Sequence, residues 1–130
     1  CKTPTYESMV KEIFGPIVSI YVYPDGKLDE TLAVCDSASP YALTGAIFAQ
    51  DREAIVKMER ALRNAAGNFY INDKCTGAIV GQQPFGGARA SGTNDKAGTW
   101  LNMVRWVSAH TVKESFCPSS AINYPYMSEK

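Results

Sequence analysis

The chain has 130 residues, enough for one domain that buries roughly two-thirds of its unfolded surface. Lysine plus arginine and aspartate plus glutamate number 13 each, so the net charge is zero, which argues against nucleic acid or an anionic membrane as the main partner. No apolar run approaches the roughly 20 residues of a membrane span, and no signal peptide is expected, because the opening Cys1-Lys-Thr-Pro-Thr-Tyr-Glu7 has no hydrophobic stretch.

In chain order, residues 1–11 are polar and read as irregular or as a truncated strand. Glu12-Ile-Phe-Gly-Pro16 is a tight apolar turn, with proline blocking a helix. Ile17-Val-Ser-Ile-Tyr-Val-Tyr23 is the clearest strand, β-branched and aromatic on both faces, and Pro24-Asp-Gly26 ends it. Leu28 to Ser37 has Leu28, Leu32 and Cys35 at helical spacing, so Cys35 reads as a small core residue. Ser39 to Thr44 reads as a loop, and Gly45-Ala-Ile-Phe-Ala49 as a short buried strand. Asp51 is the expected N-cap of a helix over Arg52–Ala66, whose apolar face is Ile55, Met58, Leu62 and Ala65. Glu53/Lys57 and Glu59/Arg63 have the i,i+4 spacing of ion pairs, and Gly67 reads as the helix stop. Asn68-Phe-Tyr-Ile-Asn72 is a further strand.

Strand, helix, strand, helix, strand in this order predicts an α/β fold with a parallel sheet. Ligands of such sheets bind beyond the carboxyl ends of the strands. There the chain enters Gly77 to Asp95, a long stretch with glycines at 77, 81, 86, 87 and 92 and neither helical nor strand periodicity. Loops this long in a compact chain are usually functional, and glycines let the backbone approach a ligand and offer N–H donors to an anion. Trp100 to Trp106 follows as a short helix. Thr111-Val-Lys-Glu-Ser-Phe116 alternates like an edge strand that seeks a partner chain. Residues 117–130 read as a tail lying along a surface.

Several chemistries are excluded by what is missing. Gly87-Ala-Arg-Ala-Ser-Gly92 has P-loop spacing but is followed by Thr93 and Asn94 instead of Lys and Ser/Thr, and no strand leads into Gly-x-Gly-x-x-Gly. The four cysteines are scattered and His110 is the only histidine, so no zinc site or other metal centre is expected. Scattered cysteines and the lack of an Asn-x-Ser/Thr acceptor point to a reducing compartment. Glu12 either pairs with Lys11 or Lys57 or offers its carboxylate to ribose hydroxyls. Phe85, alone among small residues, is either a loop anchor or a pocket wall.

Glu12-Ile-Phe-Gly-Pro16, Tyr41-Ala-Leu-Thr-Gly-Ala-Ile-Phe48 and Pro84-Phe-Gly-Gly87 with Ser91-Gly92 resemble, in order, segments of the aldehyde dehydrogenase superfamily. Gly67 to Gly77 and Gly81 to Lys96 resemble one branch of it, the Δ1-pyrroline-5-carboxylate, or glutamate γ-semialdehyde, dehydrogenases. The resemblance runs over about residues 9–116. It implies that residues 1–116 are the C-terminal part of such a catalytic domain, with 111–116 as an oligomerisation strand and 117–130 as a tail.

Family members oxidise an aldehyde to a carboxylate with NAD. A cysteine thiolate attacks the aldehyde, hydride passes to the nicotinamide, and water hydrolyses the thioester. By resemblance, Glu12 holds the nicotinamide ribose and Phe14 lies beside the nicotinamide. Gly77 and Ala78 grip the substrate's α-carboxylate through backbone N–H groups, and Phe85 packs on its aliphatic chain. Some relatives have serine at the position of Ala78, which would add a side-chain contact. The family's nucleophile, general base and dinucleotide-binding fold lie upstream of Glu12, and none of Cys1, Cys35, Cys75 or Cys117 has the nucleophile's context, so no catalytic residue is expected in this chain. The implied partners are glutamate γ-semialdehyde, the rest of a dehydrogenase chain, and a second copy through 111–116. The implied location is the mitochondrial matrix in a eukaryote and the cytoplasm otherwise. The alternative reading is an inactive chain that serves as an interaction or oligomerisation module.

Overall fold

A computed structural model describes residues 1–127; the last three residues of the expected tail lie outside the described residues. The elements are α1 (Glu7–Val10), α2 (Leu28–Ser37), β1 (Tyr41–Ala42), β2 (Thr44–Ile47), α3 (Arg52–Ala61), β3 (Asn68–Ile71), β4 (Ala88–Arg89) and α4 (Trp100–Met103), the last continued by a 3-10 turn at Val104–Trp106.

The centre is a β-α-β unit. β2 and β3 run parallel, with Thr44 opposite Asn68 and Ile47 opposite Ile71. The helix between them starts at Asp51, whose carboxylate accepts from the N–H groups of Glu53 and Ala54 at 3.1 and 3.3 Å. Such a cap stabilises a helix by about 0.5–2 kcal/mol. Ile55 and Leu62 from the α3 side, Leu32 from α2 and Ile47 from β2 form the buried cluster, with Leu28, Met58, Ala65 and Phe69 against it. Each such aliphatic side chain contributes about 1.5–3 kcal/mol on burial. α2 and α3 are further joined by Lys57, which reaches Asp29 at 2.8 Å. The expected Glu53/Lys57 pair is therefore not the one formed.

The fold class is α/β with a parallel sheet, as expected, but the sheet has two strands where three were predicted. Ile17 to Tyr23 joins no ladder among the described residues. Its apolar residues Ile17, Val18, Ile20 and Val22 all face solvent. A strand is completed by its neighbours, and here the composition is present without the pairing. The same holds for 111–116, where the edge strand does not form and Val112 and Phe116 are exposed. Two further expectations differ. α3 ends at Ala61 instead of Ala66, because Leu62 leaves helical geometry and Gly67 donates to the Ala42 carbonyl at 2.8 Å. Cys35 is exposed, not core, and partial burial of its thiol still pushes its pKa up.

The end of the glycine-rich stretch packs back on β1 and α2. Ala88 and Arg89 form β4, antiparallel to β1. The Arg89 guanidinium donates to both the carbonyl and the carboxylate of Asp36, fixing the loop to the end of α2. Ser91 Oγ accepts from the Ala42 N–H at 2.9 Å. The chain exposes 10967 Å². A compact protein of its mass exposes roughly 6,800 Å². The excess is concentrated in 13–23, 100–116 and the tail, where Tyr124 and Tyr126 stack on each other.

Candidate functional site

Leu43, Thr44, Cys75, Thr76, Gly77, Ala78 and Phe85 line one open cleft of about 570 Å³. Three of the five expected site residues, Gly77, Ala78 and Phe85, are therefore brought together. Gly77 has φ +79°, a left-handed conformation that a side chain would strain. Among the described residues, neither the Gly77 N–H nor the Ala78 N–H donates to a protein acceptor. Two adjacent unspent donors at the rim of a cleft suit a carboxylate, whose two oxygens accept in parallel. Across the cleft, Phe85 offers an apolar face for a hydrocarbon chain.

The cleft is not where the strand-end rule put it. The glycine stretch leaves from the carboxyl end of β3, but it folds back along the sheet. Phe85 is flanked by backbone groups bonded to Asn68, the first residue of β3, and Thr44 is the first residue of β2. The site thus lies by the amino ends of both strands. Close packing of glycine backbone makes this possible: a Cβ on Gly67 would lie 1.9 Å from the Gly86 carbonyl oxygen. Gly67 serves this approach, not a left-handed helix stop.

The two expected cofactor residues lie elsewhere. Glu12 lines a separate shallow depression with Tyr6, Glu7, Ser8, Lys11 and Ile13. Lys11 pairs with Glu7 and Lys57 with Asp29, so both cations that were candidate partners for Glu12 are taken. Among the described residues the Glu12 carboxylate has no hydrogen-bond partner. Phe14 is 94% exposed and lines neither hollow. A free carboxylate and, two residues on, an exposed aromatic ring are groups chemically suited to a ribose diol and a flat heterocycle.

Sequence reasoning missed Leu43, Thr44, Cys75 and Thr76 as cleft residues, and it gave Asn68 no part beyond opening a strand. Leu43 and Thr44 sit where β1 hands over to β2, and their place in the wall depends on the return of the glycine stretch. No local pattern announces that.

The sequence model of the aldehyde dehydrogenase family matches residues 2–109, and the chain belongs to this family. Particular relatives narrow the likeness. The mitochondrial delta-1-pyrroline-5-carboxylate dehydrogenase of Dictyostelium discoideum is 65% identical over 126 residues, which is 97% of this chain and 23% of that protein. The mitochondrial enzyme of the same name from Homo sapiens is 56% identical over 126 residues, 97% of this chain and 22% of that protein. Among solved structures, the Delta-pyrroline-5-carboxylate dehydrogenase from Mycobacterium tuberculosis superposes with a TM-score of 0.75 at 56% identity, covering 93% of this chain and 22% of that one. A crystal structure of that protein bound with NAD and cobalamin matches with a TM-score of 0.74. The chain thus spans about a fifth of the length of the curated relatives it matches.

Proposed function

We propose that this chain acts as part of an NAD-dependent dehydrogenase that oxidises L-glutamate γ-semialdehyde, formed from Δ1-pyrroline-5-carboxylate, to L-glutamate in proline breakdown. The observation that carries the reading is the pairing, in one cleft, of two unspent backbone donors at Gly77 and Ala78 with the apolar face of Phe85. A carboxylate at one end of a short methylene chain is what such a cleft accepts. The 56–65% identity to proteins of that name supports the same substrate class.

In this reading Gly77 and Ala78 bind the α-carboxylate through their N–H groups. Phe85 covers the methylene carbons and excludes water from them. Substrate held at both points presents its aldehyde away from the glycine stretch, toward the rest of the enzyme. Glu12 accepts hydrogen bonds from the two ribose hydroxyls of the cofactor, and Phe14 gives the nicotinamide an apolar wall. NAD, when bound, supplies the hydride acceptor. The nucleophile and general base come from the rest of the dehydrogenase chain, and no cysteine of this chain takes that role.

Residues 1–116 act as the C-terminal part of the catalytic domain and 117–130 as its tail. The apolar surface around 17–23 is covered by the rest of the dehydrogenase chain, and 111–116 completes its strand on a second copy. A mitochondrial location in a eukaryote agrees with the names of the relatives, and the compartment proposed is the matrix.

The test is steady-state kinetics of the complete protein with NAD, comparing glutamate γ-semialdehyde with butyraldehyde, an unsubstituted aldehyde that has no α-carboxylate. Loss of an ion-to-backbone anchor of two hydrogen bonds lowers kcat/KM by roughly 10²-fold or more at about 1.5–3 kcal/mol per charged bond. Equal kcat/KM for the two aldehydes would exclude the assignment. A protein that binds a second copy yet oxidises neither aldehyde would establish the interaction-module reading in its place.

A further inference from the structure

Phe85 is held by a device that its own sequence neighbourhood does not reveal. Its N–H donates to the Ala97 carbonyl at 3.1 Å, and its carbonyl accepts from the Ala97 N–H at 2.7 Å. The two flanking backbone groups go to a single side chain. Asn68 Nδ2 donates to the Pro84 carbonyl at 3.1 Å, and the Gly86 N–H donates to Asn68 Oδ1 at 3.0 Å. Four consecutive backbone polar groups, from the Pro84 carbonyl to the Gly86 N–H, are thus satisfied by Ala97 and Asn68 alone.

Asn68 is itself tied into the sheet. It opens β3, its N–H donates to the Leu43 carbonyl at 3.0 Å, and it is only 9% exposed. The same backbone bond ties it to the cleft-lining Leu43. We propose that Asn68 is a positioning residue for substrate binding: its amide clamps the backbone on both sides of Phe85 and thereby sets how the ring faces the cleft. The inference rests on the reading of Phe85 as the wall against the substrate's methylene chain.

The residue type follows from the geometry. The clamp needs one donor and one acceptor on a planar group of fixed length, which asparagine supplies. Aspartate has the same shape, keeps the acceptor for Gly86, and turns the contact with the Pro84 carbonyl into a repulsion between two acceptors. Serine is too short to span both groups. Because Asn68 touches no substrate, its effect passes through Phe85, and that makes it separable from a general loss of stability.

The experiment is a double-mutant cycle in the complete protein with Asn68→Asp and Phe85→Ala, following KM and kcat for glutamate γ-semialdehyde together with the thermal midpoint. Asn68→Asp raises KM about tenfold and changes kcat less than twofold; on the Phe85→Ala background the same substitution changes KM less than twofold, while the midpoint falls equally in both. A tenfold rise in KM on both backgrounds would make Asn68 an ordinary structural residue and overturn the inference. So would an unchanged KM in Asn68→Asp when Phe85→Ala raises it, and that result leaves the reading of the cleft standing. An unchanged KM in Phe85→Ala removes the reading of the cleft and this inference with it. If Asn68→Asp does not fold, Asn68→Ser carries the same cycle and the same criteria.

Discussion

Gly67 and Gly86 touch backbone to backbone: a Cβ built on Gly67 falls 1.9 Å from the Gly86 oxygen and 2.8 Å from its carbonyl carbon. This contact holds the glycine stretch against the start of β3 and so fixes which strand ends the cleft occupies. Its neighbour Ala66 is buried, and the Gly67 carbonyl accepts from Lys96 Nζ at 2.5 Å, so the loop is fastened at the same place from its far end.

Gly67→Ala therefore forces backbone apart, because no flexible side chain is available to move. The expected cost is more than about 4 kcal/mol, in the range reserved for core disruption. Gly81→Ala is the matched control. Gly81 has φ +79° but nothing within 4 Å of its Cβ position, so only backbone strain of about 1–2 kcal/mol is expected. Urea unfolding of the complete protein carrying each substitution checks the difference.

Ala78→Ser places a hydroxyl donor in the cleft beside the two free N–H groups. One added hydrogen bond to a charged carboxylate, at about 1.5 kcal/mol or more, lowers KM for the semialdehyde by roughly tenfold or more, with kcat unchanged. The comparison of KM values in the two proteins reads it directly. Butyraldehyde should show no such gain.

Asp95 closes the far end of the glycine stretch. Its carboxylate accepts from Thr93 Oγ1 at 2.6 Å and from Arg105 Nε at 2.8 Å, and these bonds, with the charge of Arg105, hold its pKa below the usual carboxylate value. A carboxylate with a lowered folded pKa stabilises the fold fully above its unfolded value, near 4. That contribution is lost as pH falls through the folded value. Asp95→Asn should therefore flatten part of the acid limb of a midpoint-against-pH curve below about pH 4, and leave its slope between pH 6 and 8 unchanged.

Tyr70, buried on β3, has a hydroxyl with no hydrogen-bond partner among the described residues. Tyr70→Phe removes an unsatisfied polar atom and keeps the ring. Stability is expected to stay level or rise, by up to about 1–3 kcal/mol of relieved desolvation, and the thermal midpoint with it. A clear fall in the midpoint would contradict this.

What could be seen in the sequence follows from how local each signal is. Helix α2 and the start of α3 were legible because Leu28, Leu32, Ile55 and Met58 carry the helical period and Asp51 caps its own next turn. The parallel pairing of β2 with β3 followed from a helix set between two short apolar runs. Ile17 to Tyr23 misled because strand composition does not supply a partner, whereas the edge strand expected at Thr111 to Phe116 was expected to pair with another chain and has no ladder within this one. β1 and β4 were invisible, since two residues have no periodicity. At the site, the glycines and Phe85 stood out by composition, and the resemblance gave them roles. Asn68 did not, because its partners are backbone atoms 16 and 18 residues away. The position of the cleft was also hidden, since it depends on the Gly67–Gly86 contact.

In the proposed function Gly77, Ala78 and Phe85 hold the amino-acid end of the substrate. A crystal structure of the complete protein with L-glutamate, the product, tests it most directly. The expected result is α-carboxylate oxygens at about 2.7–3.2 Å from the Gly77 and Ala78 nitrogens, with the methylene carbons against Phe85. Glutamate bound in the reverse sense, with its side-chain carboxylate on Gly77 and Ala78, or bound away from this cleft, would contradict it.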